Sequence, residues 1–94
     1  MHIVDIIWLP HIIDKLATKH RVTPEEVDEV LFRRPLFRKV QKGHNPGEDV
    51  YSALGQTESG RYLIVIFVYK RTREALVISA RDMDRKERRQ YDRR

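Results

Sequence analysis

Eight consecutive residues, Tyr62-Leu63-Ile64-Val65-Ile66-Phe67-Val68-Tyr69, are uncharged and apolar at every position. A strand wet on one face alternates apolar and polar side chains, so a run apolar on both faces belongs in the middle of a sheet and is covered on both sides. The stretch Arg61–Lys70 is therefore predicted as the longest and central strand. Turn sequences bracket it, Thr57-Glu58-Ser59-Gly60 before and Arg71 to Glu74 after, and these lead to strands predicted at Val50–Gln56 and Ala75–Ala80. Leu36 to Val40 reads as an edge strand, and Gln41 to Asp49, with Gly43, Pro46 and Gly47, as a loop.

The first third of the chain has a different periodicity. Ile3 to Ile7 is short and β-branched, and Pro10 opens a helix predicted to run to about His20, with Ile12, Ile13, Leu16 and Ala17 as its apolar stripe. Thr23-Pro24-Glu25-Glu26 is a capping box, with Val27, Val30 and Leu31 as the buried face of the helix it starts and Arg33-Arg34-Pro35 as its end. Asp84-Arg85-Lys86-Glu87 repeats the capping pattern and opens a last helix toward Arg94. Apart from Met83 and Tyr91 that helix is polar, so it is expected to add little core and to face solvent, nucleic acid or a partner. The order is thus α+β: two N-terminal helices and a C-terminal helix around an antiparallel β-sheet. At 94 residues the chain makes one domain, 1–94.

Charge narrows the function. The net charge is +5, and residues 70–94 hold ten basic and five acidic residues, so the whole excess lies there. That clustering points to an anionic partner, nucleic acid or acidic protein. With no cysteine and no metal-binding spacing among the four histidines, no metal or other cofactor is expected. No apolar run approaches the roughly 20 residues of a bilayer helix, and the N-terminus does not read as a leader, so a soluble cytoplasmic protein with no membrane contact is expected.

Several stretches resemble the BrnT family of toxins, within the broader RelE/ParE group. Trp8-x-Pro10, Lys15 and Lys19-His20-Arg21-Val22 with Thr23 are similar to its N-terminal half. Gly60-Arg61-x-Leu63-x-Val65, Val77-Ile78-Ser79-Ala80-Arg81, Glu87 and Tyr91 are similar to its C-terminal half. The resemblance implies a RelE-like, microbial-ribonuclease-like fold and metal-independent cleavage of RNA as the toxin of a type II toxin–antitoxin system, inhibiting translation and growth. It also implies a cognate BrnA-like antitoxin, with a toxin–antitoxin heterotetramer as one assembly. Two positions depart from the family pattern. Arg21 stands where glycine is usual, which implies a different exit from the first helix, and Leu76 stands where a basic residue is usual.

Metal-free cleavage of RNA uses the 2′-hydroxyl as internal nucleophile, and the protein supplies an acid, a base and positive charge for the transition state. His20 is the acid/base candidate, since imidazole titrates near neutral pH. Arg61 and Arg81 are candidates to grip the scissile phosphate, provided that the strand register turns both to one face. Glu87 is a candidate base or a holder of Arg81, beyond its capping role. Lys19 and Arg85 offer charge to RNA phosphates, while Tyr69 and Tyr91 offer rings or hydroxyls to it. Trp8 reads as core. A nucleic-acid-binding module without catalysis and a ParE-like protein that poisons DNA gyrase by binding it share the same basic surface and stand as alternatives.

Overall fold

The computed structural model describes residues 1–94 and shows three layers. The chain runs β1 (Asp5–Ile7), α1 (Pro10–Lys15), α2 (Pro24–Phe32), β2 (Leu36–Gln41), β3 (Val50–Gln56), β4 (Tyr62–Tyr69), β5 (Glu74–Asp82) and α3 (Arg85–Asp92). Leu16–His20 continues α1 as a π-helical turn. The strands form one sheet in the order β1-β5-β4-β3-β2, so the doubly apolar β4 is its centre, as its sequence requires.

The sheet is not wholly antiparallel. β2 to β5 are antiparallel neighbours, but β1 runs parallel to β5, pairing Asp5 with Glu74 and Ile7 with Leu76. No hairpin turn ties β1 to a neighbour; it reaches β5 only after the chain has crossed the sheet, so local sequence does not set its direction. Ile3, expected in the strand, precedes it and is buried in the core.

Alternation along β4 divides the core in two. Leu63, Val65 and Phe67 face α1 and α2, packing with Ile12, Leu16, Val27, Val30 and Leu31 in the larger cluster, and Trp8 packs against it. Tyr62, Ile64 and Ile66 face α3, where Leu54, Ile64 and Tyr91 form a second, smaller cluster. The expectation that α3 adds little core is corrected at Tyr91. One aromatic ring, 7% exposed, anchors an otherwise polar helix. Gly55 brings α2 close to β3, because a Cβ there would lie 3.0 Å from Cγ1 of Val30.

Arg21 also corrects an expectation. It adopts the left-handed conformation, φ 54° and ψ 41°, that a glycine at this position would take, and the amides of Arg21 and Val22 both return to the carbonyl of Leu16. The helix therefore ends as a glycine would end it, against the steric preference of an L-residue. Arg21→Gly is expected to stabilise the fold by about 0.5 kcal/mol, the relief of left-handed strain less the added flexibility of the unfolded chain, read as a small rise in melting temperature.

Candidate functional site

The end of β5 and the turn before β4 gather most of the candidate residues at one end of the sheet. The turn is built by its own sequence. Gly60 takes φ 99°, its amide bonds to the carbonyl of Thr57, and the buried Thr57 hydroxyl accepts from the amide of Arg61 at 3.0 Å.

Arg61 leaves that turn on the α1–α2 side. Its Nε and Nη2 donate to the two oxygens of Asp82 at 2.8 and 3.2 Å. Nη2 also donates to the carbonyl of His20 at 2.9 Å, and Nη1 to the carbonyl of Arg21 at 2.6 Å and to Glu26 at 3.2 Å. Glu26 is in turn the closing member of the capping box on α2, accepting from the amide of Thr23. One guanidinium thus fastens the end of the first helix, the start of α2 and the end of β5 together, with its donors occupied.

Arg81 lies on the opposite face. In the β4–β5 ladder Leu63 pairs with Asp82 and Ile64 with Arg81, which puts Asp82 and Arg61 on the α1–α2 side and Arg81 on the α3 side. The register shifts by one residue between Ile66 and Phe67, leaving Ile78 without a partner. Without that bulge Arg81 would pair with Leu63 and share the face of Arg61; the inserted residue turns it over. The register that the sequence left open thus places Arg61 and Arg81 on opposite faces, and the condition for their gripping one phosphate together is not met.

Arg81 is held end-on by Glu87, at 2.8 and 2.9 Å through both nitrogens and both oxygens, and its side chain remains 40% exposed. Glu87 closes the capping box with Asp84 at the same time, accepting from the Asp84 amide at 2.9 Å and donating its own amide at 2.7 Å. Both expected roles of Glu87, cap and holder of Arg81, are present in one side chain. The Arg81 hydrogen bonds hold the Glu87 carboxyl below its ordinary 4.5, with the Asp84 amide adding to the effect. A carboxylate held this way is a weaker base, and its geometry makes it a support for the arginine. Asp82 is likewise held below its ordinary 3.8, first by the hydrogen bonds of Arg61 and further by the charges of Arg61 and His20.

Depressed carboxyls make stability pH-dependent with a definite sign. Each folded-state value lies below the unfolded one, so the stabilisation is complete above about 4.5 and is lost as pH falls through the depressed values. Thermal melts between neutral and acid pH are expected to show a smaller acid loss in Glu87→Gln than in the unsubstituted chain, because that variant has already given up the Glu87 share.

The remaining candidates divide. Lys19 is exposed and His20 half-buried in the π-helical turn, a local widening of the helix that recurs at functional sites. Arg85 is exposed in the first turn of α3. Tyr69 lies at the far end of β4, about 23 Å from Tyr62 at the usual rise per residue, and its hydroxyl donates to the carbonyl of His2. It is not brought to this site. Tyr91 is placed under α3, where its ring meets Tyr62 edge-on at 5.9 Å and carries the Arg94 guanidinium at 3.7 Å, so core packing takes it out of reach of RNA bases.

Sequence reasoning missed Tyr62 and Arg88. The Arg88 guanidinium sits 3.4 Å above the Tyr62 ring, in a cleft that Met83, Arg85 and Arg89 also line. The signal was available: Arg85, Arg88 and Arg89 stand at i, i+3 and i+4 on one helical face, and Tyr62 shares the alternation of Ile64 and Ile66.

No helix is long and apolar enough to cross a membrane. A family model described as "Ribonuclease toxin, BrnT, of type II toxin-antitoxin system" matches residues 8–87. No curated protein matches the chain.

Proposed function

The chain belongs to the BrnT family of ribonuclease toxins of type II toxin–antitoxin systems, and on that footing we propose that it is a metal-independent endoribonuclease whose site lies at the end of β5. The observation that carries the placement is the Arg81–Glu87 fork: a rigidly held, part-exposed guanidinium at a strand end, beside a helix rich in arginine. Arg81 and Asp82 are consecutive and point to opposite faces, so one strand end presents Arg81 on one side and the His20–Arg61–Asp82 group on the other.

In this reading the 2′-hydroxyl of the substrate attacks the adjacent phosphorus and the 5′-oxygen of the next nucleotide leaves. His20 and water exchange the two protons, one leaving the 2′-hydroxyl and one reaching the departing 5′-oxygen, and Arg81 neutralises the charge that builds on the phosphorane oxygens. Because the two residues lie on opposite faces, this assignment has the RNA pass around the end of β5. Glu87 fixes the Arg81 fork. Arg61 is a positioning residue, holding the backbone of His20 by its carbonyl. Lys19 and Arg85 contribute phosphate contacts. RNA is then the substrate by chemistry, since DNA lacks the hydroxyl.

The proposal includes cytoplasmic action on cellular RNA that inhibits translation and growth, and neutralisation by a BrnA-type antitoxin in a heterotetramer. The test incubates purified protein with total RNA in EDTA. Fragmentation by the unsubstituted protein supports the reading, and intact RNA under conditions where the protein is folded overturns metal-independent cleavage of free RNA. Light scattering of the toxin co-purified with its antitoxin reads the stoichiometry, and a mass other than two of each overturns the heterotetramer.

A further inference from the structure

We infer that Tyr62 is the stacking platform for an unpaired base of the RNA, next to the phosphate held by Arg81, and that Arg88 closes over that base as a lid. The inference rests on the ribonuclease reading for its choice of ligand and goes beyond it in naming the part of the ligand that is read. Tyr62 stands on the same face of the sheet as Arg81, one strand over and two positions from the Ile64 that Arg81 pairs with. Diagonal neighbours of this kind lie about 7–8 Å apart, close to the spacing of successive nucleotides on an extended strand. Its backbone is fixed there too, since the carbonyl of Tyr62 accepts from the amide of Met83 at 3.0 Å.

The ring is part-buried, packed against the small cluster of Leu54, Ile64 and Tyr91 and bordering the cleft beside α3. Tyr91 meets it edge-on from inside the protein, which fixes its plane. Arg88 covers the ring at 3.4 Å, and its Nε is tethered by Asp92 at 3.1 Å, so the guanidinium is parked on the ring by a pairing within its own helix. This part-buried ring at the edge of a cleft carries a planar cation at direct stacking distance, and a nucleobase takes that place on the ring once Arg88 lifts to lie over the base. Arg85 and Arg89 stand on the same helical face in the cleft and supply charge for the phosphates on either side. A base in a duplex is already stacked and paired, so this platform selects single-stranded RNA.

The test measures affinity for a short 2′-O-methyl oligoribonucleotide, which cannot be cleaved, as a single strand, as a blunt duplex of the same sequence, and as an abasic strand with the same phosphates. The natural single strand is expected to bind about tenfold or more tighter than the abasic strand, the range one base stacked on one aromatic contributes. Tyr62→Phe is expected to keep that preference, and Tyr62→Leu, confirmed folded by its melting curve, to lose it. Should Tyr62→Leu not fold, the abasic comparison on the unsubstituted protein and on Tyr62→Phe decides alone. Equal binding of natural and abasic strands, or an unchanged preference in folded Tyr62→Leu, overturns the platform. Because the probe is not cleaved, RNA fragmentation in EDTA with no base preference here sinks the platform and leaves the ribonuclease standing; stack-dependent binding without fragmentation does the reverse.

Discussion

Arg81→Ala is expected to lower the rate of RNA cleavage by about a hundredfold or more and to relieve growth inhibition, while the protein stays folded. The first half follows from the loss of a fixed cation where charge develops in the transition state, an effect of about 10²–10³ when one such donor is removed. The second half follows from exposure. The Arg81 side chain is 40% exposed, so its pairing with Glu87 is screened by water and its loss costs about 1 kcal/mol or less. Glu87 keeps its capping hydrogen bonds to Asp84 in the variant, which holds the start of α3. Arg81→Lys is expected to recover little, because an ammonium cannot meet a carboxylate and a phosphate with a planar fork. Initial rates on RNA beside melting curves check both halves, and full activity in Arg81→Ala would remove the arginine from the site.

Arg61→Ala is expected to act the other way round, chiefly on stability. The guanidinium is the common partner of two carboxylates and two helix-end carbonyls, and its side chain is only 25% exposed. Deleting it strands these acceptors together. A loss of about 2–3 kcal/mol is expected, a fall in melting temperature of roughly 10–20 °C for a domain of this size. Cleavage measured well below the lowered transition is expected to fall less than in Arg81→Ala. An unchanged melting temperature with abolished cleavage would show instead that Arg61 serves the substrate and not the frame.

Much of this architecture was legible in the residues because it is local. The apolar run from Tyr62 fixed the central strand, and the two capping boxes, Thr23 with Glu26 and Asp84 with Glu87, formed where their spacing put them. Val50–Gln56 was legible to the residue, bounded by its turns. What escaped was set by contacts between distant parts. The direction of β1 depends on where the helices deliver it. The burial of Tyr91 depends on Leu54 and Ile64, remote in sequence. Most consequential, the bulge at Ile78 is one residue long and carries no glycine or proline to announce it, yet it decides which face Arg81 takes. Candidate residues were therefore readable as types and positions, and their grouping was not.

The parallel pairing of β1 with β5 has a kinetic meaning. It joins residues about three-quarters of the chain apart, Asp5 with Glu74, and contacts of such high sequence separation form late and slow folding. His20 comes from the first third of the chain and Arg81 with Glu87 from its end, so the two sides of the proposed site meet only once the last strand has docked. If the proposed site holds, the growing polypeptide is expected to lack cleavage activity until its C-terminal segment has left the ribosome, which gives a neutralising partner the whole of that interval in which to be waiting.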